Sequence, residues 1–257
     1  MSAVIPQTPY RTVFSAKNNS TSAAKTTVIV PLYNYEQTII AALTSVAAQT
    51  VDGLSLVVID DASTDGSLSQ CENWMQQHSA RFADINLVAH QQNAGLSHAR
   101  NTGFALCNTE FGFTLDADNL LYPRCIARCE QALTAKTAAF TYPTLETFGG
   151  EQGLRNTQLW SRARLARGNY IDAMALIRKS AWAEVGGYVP FEHGWEDFDL
   201  WCSFAQNGWH GVRVPEILAR YRVHHASMLQ SKTNRTHVLR KTAKALKRRH
   251  SWLNLQH

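Results

Sequence analysis

The sequence FTLDADN, residues 113–119, joins a short apolar run to two carboxylates spaced by one residue, Asp116 and Asp118. If residues 111–115 form a buried strand, side chains alternate, so Asp116 and Asp118 leave the strand end on one side while Ala117 turns away. Two carboxylates this close repel each other in a dry site unless a cation lies beside them. The spacing therefore suggests a metal-bound diphosphate, although a solvated turn at a strand end has the same pattern.

Outward from this stretch, strand and helix patterns alternate along the chain. Pro31 is expected to stop the first strand. The order predicts an α/β fold with a Rossmann-like, mostly parallel central sheet flanked by helices. The polar loops that carry Tyr33, Asp61 and Asp116 all follow strands, so they should meet at one edge of the sheet. Continuous apolar runs predict these strands at residues 26–30, 54–59, 85–89, 111–115 and 138–142.

The chain is predicted to have three parts. Residues 1–25 lack periodicity and suggest a flexible leader or linker, residues 26–230 form the main domain, and residues 231–257 form a basic helical tail. Within the main domain, the Gly- and Arg-rich segment 146–169 shows no clear strand pattern and suggests a loop that covers the substrate. Two late strands are predicted at residues 212–214 and 218–223.

Composition indicates an ordinary globular chain of 257 residues, 45% of them hydrophobic. No stretch approaches the ~18 consecutive apolar residues of a membrane-spanning helix, and the N-terminus lacks the apolar region of a secretory signal. The five cysteines are an odd number without a paired framework, which agrees with a reducing compartment. We therefore expect a cytoplasmic protein.

The basic charge is concentrated at the C-terminus. Residues 231–257 hold eight Lys or Arg and no Asp or Glu, so with a total of +5 the remaining residues carry −3. This distribution gives no indication that the main domain binds nucleic acid. In the tail, Leu239, Ala243 and Leu246 form a narrow apolar stripe among the basic residues. The stripe suggests peripheral contact with the inner face of the cell membrane, and a solvated helix is the alternative.

An ordered series of motifs resembles glycosyltransferase family 2, whose members have the GT-A fold and transfer sugars from nucleotide-sugar donors with inversion. The resemblance spans residues 26–229 and implies a nucleotide-binding half at residues 26–120 and an acceptor-side half at residues 121–230. The motifs are VPLYN at 30–34, VIDDASTDG at 58–66, NAGLSHARNTG at 93–103, DADN at 116–119, GGY at 186–188, ED at 196–197 and YRVHHAS at 221–227.

The resemblance implies roles for residues of the nucleotide-binding half. Pro31 and Tyr33 would line the base, Asp61 would accept a hydrogen bond from the base imide, and Arg100 and Asp116 would lie near the donor. An imide N–H selects uracil or thymine over cytosine, so a UDP-sugar is favoured and a dTDP-sugar comes second. From the residues alone, Asp61 could also cap a helix, Tyr33 could pack in the core and Arg100 could be solvated.

Asp118 and His224 are the metal ligands that the resemblance implies. Carboxylate and phosphate oxygens suit a hard divalent cation, and an imidazole ligand shifts the preference towards Mn²⁺ over Mg²⁺. His224 and His225 would point to opposite faces of a continuing strand, so only one reaches the site. The resemblance favours His224, and a histidine bonded to backbone at the strand end is the alternative.

Asp197 is the implied catalytic residue, with Glu196 beside it. Inverting transfer is a single in-line displacement, which needs a carboxylate to take the proton of the acceptor hydroxyl. A helix N-terminus predicted at Glu196 should keep Asp197 ionised. Trp195 and Trp201 offer aromatic faces to a sugar ring, and Trp201 could equally fill the core.

These features predict a glycosyltransferase that uses a nucleotide-sugar donor and a glycan or lipid-linked acceptor, in cell-envelope polysaccharide synthesis. A sugar nucleotidyltransferase is an alternative, but no Gly-rich basic signature follows the first strand. A nicotinamide dehydrogenase is disfavoured because no G-x-G-x-x-G follows Val30. A domain that binds sugar nucleotide or glycan without turnover is the non-enzymatic alternative.

Overall fold

The computed structural model describes residues 5, 7–18, 23–191, 194–224 and 236–255. In these ranges the chain forms a ten-stranded mixed sheet with helices on both faces, which confirms the predicted fold class. The strands are β1 (Tyr10–Lys17), β2 (Thr26–Leu32), β3 (Leu54–Asp60), β4 (Asp84–His90), β5 (Phe111–Thr114), β6 (Leu120–Leu121), β7 (Ala138–Gly149), β8 (Gly153–Arg155), β9 (Leu176–Arg178) and β10 (His210–Val223). The helices are α1 (Ile39–Ala47), α2 (Ser67–His78), α3 (Leu96–Leu106), α4 (Cys125–Ala132), α5 (Arg162–Leu165), α6 (Lys179–Glu184), α7 (Glu196–Gln206) and α8 (Thr236–Arg249).

The centre of the sheet is parallel. Strands β4, β3, β2 and β5 lie side by side in this order, and each neighbouring pair runs in the same direction. Every residue of β2 and β3 is buried, because alternate side chains such as Val28 and Ile29 enter the two cores on opposite faces. The strand order reverses between β2 and β5, and a reversal of this kind opens a crevice at the carboxyl ends of the strands.

Pro31 does not end the first strand, contrary to the prediction, since β2 continues to Leu32. Pairing between β2 and β5 stops at Ile29 and Thr114, whereas pairing with β3 continues through Leu32. Backbone groups alternate in direction along a strand, so Pro31 faces the same side as Ile29, beyond the last pair with β5. Its missing N–H therefore costs no hydrogen bond of the ladder.

The second half of the sheet is built on two long strands. β7 and β10 are parallel, and β9 lies antiparallel between β5 and β7, so that both halves share one sheet. Two predictions are wrong here. The segment 146–169 contains the end of β7 and the hairpin strand β8. The two predicted late strands form one strand, β10, with register irregularities near Val214 and Ile217.

A strand lies before the predicted start of the domain. β1 pairs antiparallel with β4 at the edge of the sheet, with a register shift between Thr12 and Phe14. Most of its side chains are exposed or half-buried, so it lacks the continuous apolar run that identifies the central strands. The prediction of a flexible leader is therefore wrong for Tyr10–Lys17. Residues 1–4, 6 and 19–22 lie outside the described part of the chain.

The basic C-terminal helix α8 packs on the domain. Ala243 and Leu246 are buried in the core that also contains α7. Asp199 of α7 accepts a hydrogen bond from Arg249 (2.7 Å) and lies 2.9 Å from Nε2 of His250. The domain thus covers Ala243 and Leu246 of the predicted apolar stripe, while Leu239 is half-buried, so α8 is not a fully solvated helix. Contact of the tail with a membrane stays a prediction. No helix in the described ranges is long and apolar enough to cross a membrane.

Gly103 lets α3 approach the sheet closely. A Cβ atom at this position would overlap Cγ2 of Ile29 and lie 2.9 Å from Cδ1 of Ile59. We expect Gly103→Ala to lower the free energy of unfolding by about 1–3 kcal/mol, because α3 or β2 must shift. Urea unfolding measures the change. Gly153→Ala is the control, since the nearest atom to its Cβ would be 3.5 Å away; equal losses in both variants would refute this account.

Candidate active site

A cleft of ≈ 580 Å³ lies between the loop after β5, the segment that follows α5 and the start of α7. It brings together four residues of the predicted site: Arg100 of α3, Asp116 of the loop after β5, and Glu196 and Asp197 of α7. The polar and aromatic side chains that line it are Arg100, Asp116, Arg155, Asn156, Asn169, Tyr170, Asp172, Trp195, Glu196, Asp197 and Tyr221.

The loop after β5 is a tight turn in which the N–H of Asn119 donates to the carbonyl of Asp116 (3.0 Å). Ala117 is buried in the core, as the alternation predicts. Asp118 is 8% exposed, and its Oδ2 lies 2.9 Å from Nε2 of His224. Burial and the Asp116 carboxylate raise the pKa of Asp118, against the opposing effect of His224. The two predicted metal ligands are thus in contact, while His225 lies outside the described residues.

The described side chains supply only part of the coordination shell of a divalent cation. Within the described ranges, no group of three or more His, Cys, Asp or Glu side chains could hold a metal ion, and all five cysteines are buried and free. Oδ2 of Asp118 and Nε2 of His224 nevertheless lie 2.9 Å from each other, and Asp116 is near enough to raise the pKa of Asp118. These residues fit Mn²⁺ or Mg²⁺ if diphosphate oxygens supply the remaining ligands.

Arg100 links the two halves of the site. Its side chain is 2% exposed, and its guanidinium donates to Asp116 (2.8 Å) and to Glu196. The neighbouring Asn101 exchanges two hydrogen bonds with the backbone of Tyr188 (2.8 Å each), which ties α3 to the GGY segment. The observed role of Arg100 is to neutralise two carboxylates, one in the loop after β5 and one at the start of α7. Its contact with a donor phosphate stays a prediction.

Asp197 is half-buried in the first turn of α7. It accepts hydrogen bonds from the side chain of Asn169 (3.1 Å) and from the N–H of Phe198 (2.7 Å). Burial and then the Glu196 carboxylate raise the pKa of Asp197, and Arg100 opposes this only in part. The prediction that the helix N-terminus keeps Asp197 ionised is therefore wrong, because burial and the Glu196 carboxylate raise the pKa of this side chain. A carboxylate with a raised pKa is the stronger proton acceptor once ionised.

Asp61 is 3% exposed and organises the loop before α3. Its Oδ1 lies 2.6 Å from Nδ1 of His90, and its carboxylate accepts the N–H groups of Ala94 (2.9 Å) and Gly95 (2.7 Å). Burial acts to raise the pKa of Asp61, but these hydrogen bonds lower it below its ordinary value. Asp61 does not cap α2, since Asp65 accepts the N–H of Ser67. A bond from Asp61 to a base imide stays a prediction.

The two residues predicted to line the base differ in exposure. Pro31 is buried near the end of β2, whereas Tyr33 in the following loop is 43% exposed. Tyr33 therefore does not fill the core, which removes that alternative. Its stacking on a base stays a prediction.

Among the cleft residues that sequence reasoning missed, three place charged or hydrogen-bonding groups at the site. Asp172 accepts the N–H of Met174 (3.0 Å), and burial, with Asp116, raises the pKa of Asp172 to about 6. The guanidinium of Arg155 lies 4.1 Å from the ring centroid of Tyr221. The third residue is Asn169, the partner of Asp197. The Gly- and Arg-rich composition of residues 146–169 indicated a substrate loop, but no motif singled out these side chains.

The aromatic and acidic neighbours of Asp197 have separate roles. Trp195 lines the cleft and has a left-handed backbone, with φ of 73°. Trp201 is fully buried, donates to the carbonyl of Ile171 (3.2 Å) and stacks on Phe140 at 4.2 Å. Trp201 therefore fills the core, and Asp199 faces α8 instead of the cleft.

Relatives of this chain are known. The chain is 27% identical over 212 residues to the putative glycosyltransferase EpsE of Bacillus subtilis, a match that covers 78% of this chain and 74% of EpsE. S. aureus TarS in complex with UDP-GlcNAc superposes with a TM-score of 0.68 at 18% identity, covering 80% of this chain and 61% of that one.

The mannosyltransferase PcManGT from Pyrobaculum calidifontis, in complex with GDP-Man and Mn²⁺, superposes with a TM-score of 0.68 at 22% identity. The match covers 88% of this chain and 65% of that one, so the chain spans less than two thirds of either solved structure. At these identities the structures show a shared GT-A fold. The model of glycosyl transferase family 2 matches residues 27–195. Since that match covers more than half of the sequence, the chain belongs to glycosyl transferase family 2.

Proposed function

We propose that this glycosyltransferase moves a sugar, with inversion, from a nucleoside diphosphate donor to a hydroxyl of a glycan or lipid-linked acceptor. The observation that carries the proposal is the Arg100 bridge, which joins Asp116 of the nucleotide-side loop to Glu196, the neighbour of Asp197. The same cleft is thus lined by Asp116, which is next to the proposed metal ligand Asp118, and by Asp197, which would accept a proton.

In the proposed reaction, the acceptor hydroxyl oxygen attacks the anomeric carbon from the face opposite the diphosphate. The bond from that carbon to the diphosphate oxygen breaks as the new glycosidic bond forms. Asp197 takes the hydroxyl proton on a carboxylate oxygen. Asn169 orients this carboxylate through its 3.1 Å hydrogen bond, and the pairing of Arg100 with Glu196 fixes the helix turn that carries it. The products are the inverted glycoside and the nucleoside diphosphate.

Asp118 and His224 are the side chains that would hold Mn²⁺ or Mg²⁺, with Mn²⁺ favoured by the imidazole. When bound, the cation stabilises the negative charge of the departing diphosphate. The presence of Mn²⁺ in the PcManGT complex supports the use of a divalent cation. Arg100 donates a 2.8 Å hydrogen bond to Asp116 and so compensates the negative charge of this carboxylate on the donor side.

The donor base is proposed to be uracil, with thymine second. The proposal depends on Asp61 as the acceptor for the imide N–H and on Pro31 and Tyr33 as base contacts. The similar structures were solved with UDP-GlcNAc and with GDP-Man, so the fold alone does not select one base and the nucleotide has to be measured.

We propose that the enzyme acts in the cytoplasm on acceptors of envelope polysaccharide synthesis. It would contact the membrane peripherally through the exposed face of α8. Arg240, Lys244 and Arg248 are exposed on this helix. Each basic residue near an anionic lipid surface contributes about 1 kcal/mol. Cosedimentation with anionic vesicles, compared with neutral ones, tests the contact, and equal binding to both would exclude it.

Thermal unfolding with UDP, dTDP, GDP or CDP, each with and without Mn²⁺, tests the donor site. We expect UDP with Mn²⁺ to raise the melting temperature, because a ligand at about 100 times its dissociation constant adds about 2.7 kcal/mol to the stability of the folded state. Asp118→Asn and His224→Gln should lose the Mn²⁺-dependent part of the shift. Asp52→Asn, an exposed carboxylate on a surface turn, is the matched control.

Two outcomes would count against the proposal. A shift with UDP that is the same with and without Mn²⁺ would remove the metal from the donor site. No shift with any nucleotide would favour a domain that has lost donor binding.

A further inference from the structure

A second cavity, of ≈ 720 Å³, adjoins the catalytic cleft. It is lined by residues between Thr157 and Asn169, including Leu159, Trp160, Arg164 and Arg167. Gly168 and Asn169 line both cavities. Because the side chain of Asn169 donates to Asp197, a molecule with its hydroxyl at Asp197 can extend past Asn169 into this second space.

The wall of the second cavity is basic and carries no compensating carboxylate. From Gln152 to Ile171 the sequence contains four arginines and no Asp or Glu. Within the described ranges, none of these guanidinium groups forms an ion pair; three lie over the rings of Tyr221, Trp252 and Tyr170, at 4.1, 4.8 and 5.9 Å. The fourth, Arg167, is exposed and has no described partner. The four arginines are Arg155, Arg162, Arg164 and Arg167.

The charges of the two cavities are of opposite sign. The catalytic cleft carries the carboxylates of Asp116, Asp172, Glu196 and Asp197, with Arg100 and Arg155 as its cations. The second cavity contributes only arginines, Arg164 and Arg167. An anionic group on an acceptor would be repelled beside Asp197 and attracted into the second cavity. The guanidinium groups there can bind phosphate or carboxylate through paired hydrogen bonds.

We propose that the cavity lined by Arg164 and Arg167 binds a phosphate or carboxylate group of the acceptor, next to the hydroxyl that receives the sugar. This inference rests on the proposed transfer at Asp197 and adds the chemical class of the acceptor. An acceptor of this class is a sugar phosphate or a uronic acid unit rather than a neutral glycan.

Titration calorimetry on the whole chain, saturated with UDP and Mn²⁺, tests the inference with three small probes. Glucose 1-phosphate carries a phosphate, glucuronic acid carries a carboxylate, and methyl glucoside is neutral. UDP keeps the probes out of the donor phosphate site. We expect at least one anionic probe to bind tenfold or more tightly than methyl glucoside, and the stronger of the two identifies the acceptor charge.

The double variant Arg164→Gln/Arg167→Gln should weaken binding of the anionic probe at least tenfold and leave UDP affinity unchanged. The matched control is Arg240→Gln/Arg248→Gln, which removes the same charge from the exposed face of α8. Equal affinity for all three probes, or equal binding by the two double variants, would overturn the acceptor inference. Failure of the wild-type chain to bind UDP with Mn²⁺ would instead refute the proposed donor site, so the two failures are distinguishable.

Discussion

Asp197→Asn should lower kcat for sugar transfer by about 10²–10⁴-fold, the range that a positioned general base contributes. The amide keeps the size of the side chain and can still bond to Asn169, but it cannot accept the hydroxyl proton. Asp197 lines the cleft, whereas the predicted metal ligands Asp118 and His224 are not among its lining residues, so affinity for UDP and Mn²⁺ should be unchanged. Initial rates of nucleotide release in the presence of acceptor measure the loss.

The pH dependence provides a second test of the same residue. Burial and the Glu196 carboxylate raise the pKa of Asp197 above its ordinary value of about 3.9. A base must be deprotonated to act, so kcat/KM should rise with pH along a limb that is displaced upward from the ordinary range. The Asn variant should lack this limb, and the Asp52→Asn control should retain it. Transfer by Asp197→Asn within tenfold of the wild-type rate would rule out Asp197 as the base.

The central fold could be predicted because its signals are local. Each strand of the β4-β3-β2-β5 core is a continuous apolar run covered on both faces, and the residue pattern records that burial directly. β1 could not be predicted in this way because it is an edge strand without a continuous apolar run. Its pairing with β4 joins residues more than 65 positions apart. The packing of α8 could not be predicted either, because it depends on distant residues: His250 contacts Asp199, which is 51 positions away in the sequence.

The candidate site was predictable to the extent that motifs mark it. The acidic pair of the β5 loop, His224 and the ED pair were found because their spacing and order are characteristic. The partners of these residues were not found, since Asn169 and Asp172 belong to a segment without motif. The pKa of Asp197 was also misjudged, because its burial depends on three-dimensional packing that a helix N-terminus in the sequence does not reveal.

Arg100→Met should destabilise the folded chain by about 3–5 kcal/mol, the loss typical when one partner of a buried ion pair is removed. The Glu196 side chain is 6% exposed, and Arg100 is its hydrogen-bond partner among the described residues. Without the guanidinium, Glu196 must remain as an uncompensated buried charge or take up a proton. Asp116, whose side chain is 30% exposed, loses its 2.8 Å partner but can reach water. Most of the loss should therefore arise at Glu196.

A double variant separates this cause from simple loss of packing. Arg100→Met/Glu196→Gln removes the stranded charge along with the cation, so it should recover part of the stability lost in Arg100→Met, as judged by urea unfolding. Arg124→Met is the matched control, because Arg124 is 71% exposed in its side chain and lies 3.8 Å from Glu216, where an ion pair contributes about 0–1 kcal/mol. If Arg100→Met were no less stable than Arg124→Met, the ion pairs of Arg100 with Asp116 and Glu196 would not be stabilising the fold. Lower transfer activity in the double variant, with stability recovered and UDP affinity unchanged, would show that Arg100 and Glu196 also position Asp197 for proton removal.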